Sequence, residues 1–213
     1  MNLFITGTDT GVGKTYVTSL ITKALAARGE KVMPIKPLCC GDRDDAVALL
    51  EASGRDDLTL DEVNPVWFKS PAAPLAAAMI ENRTVELEPL AEHCRKAEAE
   101  NDHVIVEGVG GWEVPVTADQ SLADLAAMLG YPTVVVVDNK LGALNHTILT
   151  VRQVEAFEVF CAGLILNHVN EERDAASISN RVVLEQFLGS PILAELMHDE
   201  AEIDLEPIFE VIE

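Results

Sequence analysis

Thr6-Gly7-Thr8-Asp9-Thr10-Gly11-Val12-Gly13-Lys14-Thr15 brings together the residue types that cradle a phosphate. A glycine-rich turn offers backbone N–H groups to phosphate oxygens, and a helix starting directly after it adds its dipole. In such a loop Lys14 reaches the terminal phosphates of a nucleotide, and the Thr15 hydroxyl ligates Mg²⁺. The usual spacing is Gly, four residues, Gly-Lys-[Ser/Thr]. Here Gly7 lies one residue early, and Thr8 holds the first glycine's place.

Other stretches carry chemistry of their own. Lys36-Pro37 closes an apolar run, and a lysine on the same edge as Lys14 suits an anion that forms during a reaction. Gly41-Asp42-Arg43-Asp44-Asp45 opens a helix, where Asp42 and Asp44 read as cap or dipole partners. Asp45 either simply starts that helix or aims a carboxylate at Mg²⁺; the residues leave both open. Val104-Ile105-Val106-Glu107-Gly108-Val109-Gly110-Gly111-Trp112 ends an apolar strand in a carboxylate. Phosphate-loop enzymes put a Mg²⁺ ligand or water-orienting acid there, and the glycines let backbone approach a ligand. Asp138-Asn139-Lys140-Leu141-Gly142-Ala143-Leu144-Asn145-His146 leads into a helix whose N-terminus can receive a carboxylate, with His146 capping or packing. In Leu166-Asn167-His168 the Asn amide, one donor and one acceptor, fits a purine edge or forms a turn. Glu113, His93, His103 and His198 read as surface residues, Trp67 and Phe68 as core or as cover for a substrate loop.

These residues need a frame. Leu3–Ile5, Lys31–Lys36, His103–Val106, Thr133–Val137, Cys161–Leu166 and Pro191–Leu193 are apolar runs rich in Val and Ile that do not alternate, as strands buried on both faces do not. Helical patterns fall at 16–28, 43–53, 87–100, 121–129, 143–155 and 174–188. Strands alternating with helices give an α/β fold, a doubly wound, mostly parallel sheet with right-handed crossovers and helices on both faces. Ligands of such sheets bind beyond the carboxyl ends of the strands. Segments 8–15, 36–45, 107–117 and 138–146 are therefore expected to converge on one edge. Residues 54–86, broken by Pro65, Pro71 and Pro74, predict loops around a short helix or edge strand, and 197–213 a loop and short helix.

The 213 residues fit one domain, 1–213, and an apolar share of 48% supplies its core. Net charge of −21 argues against a DNA or RNA partner, which it would repel. No apolar run approaches the roughly 18 residues of a membrane span. No basic leader precedes the first strand. Cys39, Cys40, Cys94 and Cys161 have no zinc spacing, so a reducing cytoplasm is the expected setting.

Taken in order, Gly7–Thr15, Lys36-Pro37, Asp45-Ala46, Asn64-Pro65, Glu107-Gly108 with Gly110-Gly111-Trp112, Lys140-Leu141-Gly142 with Asn145-His146, and Asn167 resemble the dethiobiotin synthetases over about residues 2–196. Each motif is weak; their joint order is specific. The resemblance implies a homodimer that turns 7,8-diaminopelargonate, CO₂ and ATP, with Mg²⁺, into dethiobiotin. One amine takes up CO₂ as a carbamate, whose oxygen attacks the γ-phosphate of ATP. The second amine then closes the ring and expels phosphate. It implies an ATP site of Asp9, Thr10, Gly11, Val12, Gly13, Lys14, Thr15, Tyr16, Asp45, Glu107 and Asn167. Thr15, Asp45 and Glu107 would gather Mg²⁺. Lys14, Lys36 and Thr10 would act on γ-phosphate and carbamate. Cys40, Gly108 and Gly110 would line the substrate. Gly142, Ala143, Leu144 and Asn145, from the partner subunit, would take its carboxylate.

The chain departs from the family pattern in places. Cys40 stands where Ser is usual, and a thiol donates weakly. Pro71-Ala72-Ala73-Pro74-Leu75 replaces Pro-x-Ser-Pro-His, and Leu193-Ala194-Glu195-Leu196-Met197 differs near the nucleotide edge. The alternative is an ATP-driven switch of the chromosome-partition or site-placement type. Such switches carry a lysine at the position of Thr10, which counts against it.

Overall fold

The apolar runs fail to alternate because each strand is covered on both sides. In the computed structural model, which describes residues 1–212, neighbouring residues of one strand enter different cores. Leu3 and Ile5 pack into one core while Phe4 enters the other; Ile105 parts in the same way from Val104 and Val106, and Val134 and Val136 from Val135 and Val137.

The elements run β1 (Asn2–Gly7), α1 (Lys14–Ala27), β2 (Val32–Ile35), β3 (Leu38–Cys40), α2 (Asp44–Ser53), α3 (Leu60–Val63), β4 (Val66–Phe68), α4 (Pro74–Ile80), α5 (Leu87–Glu100) and β5 (His103–Glu107). They continue as α6 (Leu122–Leu129), β6 (Thr133–Asp138), α7 (Ala143–Ala156), β7 (Cys161–Asn167), α8 (Ala175–Phe187), β8 (Ile192–Leu196) and α9 (Glu206–Ile212). Six strands form one sheet in the order β2-β5-β1-β6-β7-β8, every pairing parallel. Helices α1 and α9 cover one face, α5 to α8 the other.

Register places the chemistry. Ile5 pairs with Glu107 and Gly7 with Val136, so the loop after β1 emerges between the ends of β5 and β6. Asp138 pairs with Asn167.

Two differences from the sequence reading matter for the site. Segment 54–86 holds α3, β4 and α4 rather than loops around one element, and β4 pairs with the unforeseen β3 in a separate parallel two-stranded sheet. Its register, Cys40 opposite Phe68, anchors the Lys36–Asp45 segment. His103 is not a surface residue: it is buried at the start of β5, against the Glu30 carboxylate and the N-terminal amine.

Candidate active site

Helix α1 begins without a side-chain cap. Its N-cap is Gly13 at φ +90°, a left-handed backbone that glycine tolerates, so the first-turn N–H groups are left for a ligand. The loop before it is braced on all sides. Thr8 N–H donates to Val136 O at 3.0 Å, and Thr10 N–H to Asp9 Oδ1 at 2.7 Å. Lys14 Nζ reaches back to Asp9 O at 2.9 Å. Gly110 and Gly111 pass so close that a Cβ on Gly110 would stand 3.6 Å from Thr10 Oγ1, and one on Gly111 3.6 Å from Gly7 O. Asn167 holds the loop from the far side: its Nδ2 donates to Val12 O at 2.9 Å.

The carboxyl ends of β1, β2 and β5 bring four side chains together. Lys36 Nζ sits 2.8 Å from Asp45 Oδ2 and 2.5 Å from Glu107 Oε1. Thr15 Oγ1 donates to the same Glu107 oxygen at 2.7 Å. Glu107 is fully buried, and its Oε2 has no partner. The backbone of Lys36 is pinned: its N–H donates to Val63 O at 2.8 Å, and its carbonyl accepts from Asn64 Nδ2 at 2.8 Å. Arg43 Nε secures Asn64 Oδ1 at 3.0 Å. That support was missed in the sequence, although Asn64-Pro65 is a turn signal.

Electrostatics differ between the two lysines. Burial, and then the neighbouring Lys36 charge, push Lys14 down to about 8. Burial also opposes the Lys36 charge, but the Glu107 and Asp45 carboxylates outweigh it and hold Lys36 above the ordinary lysine value. Asp45 falls below the usual carboxylate range: burial would raise it, and the Lys36 charge and hydrogen bond prevail. Burial pushes Cys39 up to about 11 and raises Cys40, so both thiols stay protonated at neutral pH.

The cavity beside these groups has a volume of about 660 Å³. Thr10, Gly11, Gly13, Lys14, Thr15, Lys36, Cys40 and Asp45 line its polar side. Pro71, Ala72, Pro74, Val109 and Val114 make an apolar wall opposite. All four segments leave the carboxyl edge of the parallel sheet, and three of them meet at this cavity. Asp138, Asn139 and Lys140 line a separate polar cavity of about 520 Å³ with His168 and Asp174. There a buried network of Asn139, His168 and Asn180 ties β6 and β7 to α8, with Glu195 of β8 on the His168 ring.

Other expected residues fall in varied places. Val12 is buried, and Asp9 is exposed at the loop tip. Tyr16 meets the carbonyl of Glu200. A Cβ on Gly108 would stand 2.6 Å from Leu122 Cδ2, so a side chain there would force Leu122 to shift. Gly142, Ala143, Leu144 and Asn145 form the N-terminal turn of α7 and do not line the 660 Å³ cavity. His146 stands exposed and makes no cap bond.

Two carboxylates, one of them with an orphan oxygen, and a hydroxyl suit Mg²⁺, which takes its remaining ligands from phosphates and water. Among the described residues, no group of three or more His, Cys, Asp or Glu could hold a metal alone.

A parallel sheet with this loop between its central strand and the following helix defines a P-loop NTPase. The septum site-determining protein MinD from Pyrococcus horikoshii superposes with a TM-score of 0.60 at 18% identity, covering 100% of this chain and 87% of that one. The cell division protein FtsY from Thermotoga maritima gives 0.58 at 18% identity, with 99% and 67% covered. A family model described as an AAA domain matches residues 1–202. Sequence relatives are narrower. ATP-dependent dethiobiotin synthetase of Akkermansia muciniphila is 43% identical over 209 residues, covering 98% of both chains. That of Bacillus licheniformis is 36% identical over 194 residues, covering 89% of this chain and 83% of its own. The chain belongs to the ATP-dependent dethiobiotin synthetase family.

Proposed function

We propose that the enzyme closes the ureido ring of dethiobiotin from 7,8-diaminopelargonate, CO₂ and ATP, and that the roles divide among the residues above as follows. Lys14 neutralises the γ-phosphate and the carbamate that attacks it. Lys36 and Thr10 hold that carbamate. Thr15, Asp45 and Glu107 would hold Mg²⁺, which would neutralise charge that develops on the phosphates. Asn167, one of whose two amide hydrogens serves Val12, keeps its acceptor for the adenine amino group. No strong general base is needed, because the substrate's amines are the nucleophiles. Positioning and electrostatics carry the catalysis.

One observation carries this reading. Lys14 and Lys36 are the only buried Lys or Arg among the described residues, and both line one cavity with Thr15 and Asp45. Its apolar wall suits a methylene chain beside the reacting amines. We read residues 1–213 as one unit acting as a homodimer in the cytoplasm, where its four free thiols persist. Leu141, Leu149, Ile178, Val182 and Phe187 expose apolar side chains on and beside α7 and α8, next to the helix N-terminus assigned to the substrate carboxylate. A second copy covering that face would bring the N-terminus to its neighbour's cavity.

The test is phosphate release from ATP as a function of diamine and bicarbonate. Release that requires both is expected; ATP hydrolysis indifferent to the diamine would overturn the reading in favour of a switch. Lys36→Ala is expected to abolish turnover while keeping nucleotide binding.

A further inference from the structure

Lys36 and the proposed metal draw on the same two carboxylates. Its side chain is only 3% exposed, and its ammonium is shared between Asp45 Oδ2 and Glu107 Oε1. Glu107 Oε1 also accepts from Thr15, so its two lone pairs are both engaged. Every residue assigned to Mg²⁺ therefore touches Lys36 or the oxygen that Lys36 holds. A divalent ion on those carboxylates would stand beside the ammonium, and like charges repel strongly where water is excluded.

The frame allows the side chain alone to move. The Lys36 N–H is fixed to Val63 O, and its carbonyl to Asn64 Nδ2. Glu107 ends a strand paired on both sides, to β1 and to β2. Lys36 borders the 660 Å³ cavity. A change of side-chain rotamer is a soft motion that can carry the ammonium off the carboxylates without disturbing the sheet.

We propose that Lys36 is an exchangeable counter-ion: it neutralises Asp45 and Glu107 until Mg²⁺ with nucleotide takes those carboxylates, and the exchange delivers its ammonium into the cavity where the carbamate is held. This rests on the reading of Thr15, Asp45 and Glu107 as metal ligands. It gives Lys36 a second part in the reaction. Lys36 becomes available to the carbamate only after metal and nucleotide have arrived, so a carbamate formed earlier meets Lys14 and Thr10 but lacks the Lys36 contact.

The experiment is competitive trace acetylation of the full-length protein, read lysine by lysine by mass spectrometry, with no addition, with ADP, and with ADP plus Mg²⁺. Lys14 serves as the internal comparison and is expected to be protected by ADP. Lys36 is expected to stay unreactive with ADP alone and to rise about fivefold or more with ADP plus Mg²⁺, as its ion pairs are lost. In Glu107→Gln, which removes one anchor, Lys36 labelling rises without metal. In Lys36→Met, Mn²⁺ binding in the presence of ADP, followed by electron paramagnetic resonance, tightens about tenfold. Metal binding to the wild-type protein with Lys36 still protected would mean that the two cations coexist, and would overturn the exchange. Mn²⁺ binding unchanged in both Asp45→Asn and Glu107→Gln would instead remove the metal-ligand reading, and the exchange with it. Neither measurement needs the diamine or turnover.

Discussion

Replacing Gly13 with Ala tests the clamp between Asn167 and the phosphate loop. Gly13 has φ +90°, and a Cβ there would stand 2.2 Å from Asn167 Nδ2. Two costs follow. An L-residue in left-handed backbone costs about 1–2 kcal/mol. The amide must also leave Val12 O, and with Asn167 only 3% exposed the broken bond leaves buried polar atoms unpaired, which costs about 1–3 kcal/mol. Gly13→Ala is therefore expected to destabilise by about 2–5 kcal/mol. Asn167→Ala alone strands the Val12 carbonyl, at about 1–3 kcal/mol. In the double variant the clash has no partner and the bond can be lost only once, so the combined cost falls short of the sum by about 1–3 kcal/mol. Urea unfolding of the four proteins gives the cycle, provided that the slopes match. Costs that add to within about 0.5 kcal/mol would show that Gly13 and Asn167 act independently, and the clamp would be refuted.

The Lys14 value of about 8 sets a pH dependence. An anion beside Lys14 favours its charged form, so ATP binding above pH 8 takes up a proton and weakens as pH rises, which calorimetry in buffers of different ionisation heat detects. Folding responds oppositely: the native state sheds this proton before the unfolded chain does, so the Lys14 contribution to stability grows from pH 8 toward the ordinary lysine value of 10.5. Cys40→Ser is expected to leave turnover unchanged or faster, since a hydroxyl donates better than a thiol whose burial keeps it protonated; a large loss of rate would assign the thiol its own packing role. Ile178→Asp, on the exposed apolar face of α8, is expected to yield monomers by light scattering and to raise KM for the diamine, while ATP affinity holds.

What could be read from the sequence was what local pattern controls. Val104-Ile105-Val106 had to be a strand covered on both faces, and a carboxylate closing it beside a Gly-Lys-Thr loop had few other uses. The β3–β4 pair escaped because three-residue strands carry no periodicity, and the prolines at 65, 71 and 74 argued for loops. Asn64, buried between Lys36 and Val66, was legible as a turn but not as the support of a lysine 28 positions earlier. For Asn167 the type of role was open, and its donor went to Val12, 155 residues away, a partner that no local signal names. His103 misled for the same reason: Glu30 and the chain's own amino terminus close over it, and only the fold brings them there.

The acidity of the chain sharpens why the site is built as it is. Asp and Glu number 36 against 15 Lys and Arg, so the protein as a whole repels the nucleotide it must hold. Surface charges act weakly on that nucleotide, because they lie in water and are screened beyond roughly 8 Å at physiological salt. A charge pair 4 Å apart is worth about 1 kcal/mol in bulk water but about 4 kcal/mol near protein. Sinking Lys14 and Lys36 into the sheet edge therefore makes two cations outweigh many distant anions. Burial has a cost, and the two lysines meet it differently. Lys14 accepts a lowered pKa and waits on the Asp9 carbonyl for a phosphate. Lys36 keeps its charge by leaning on Asp45 and Glu107, the two acids proposed above as metal ligands.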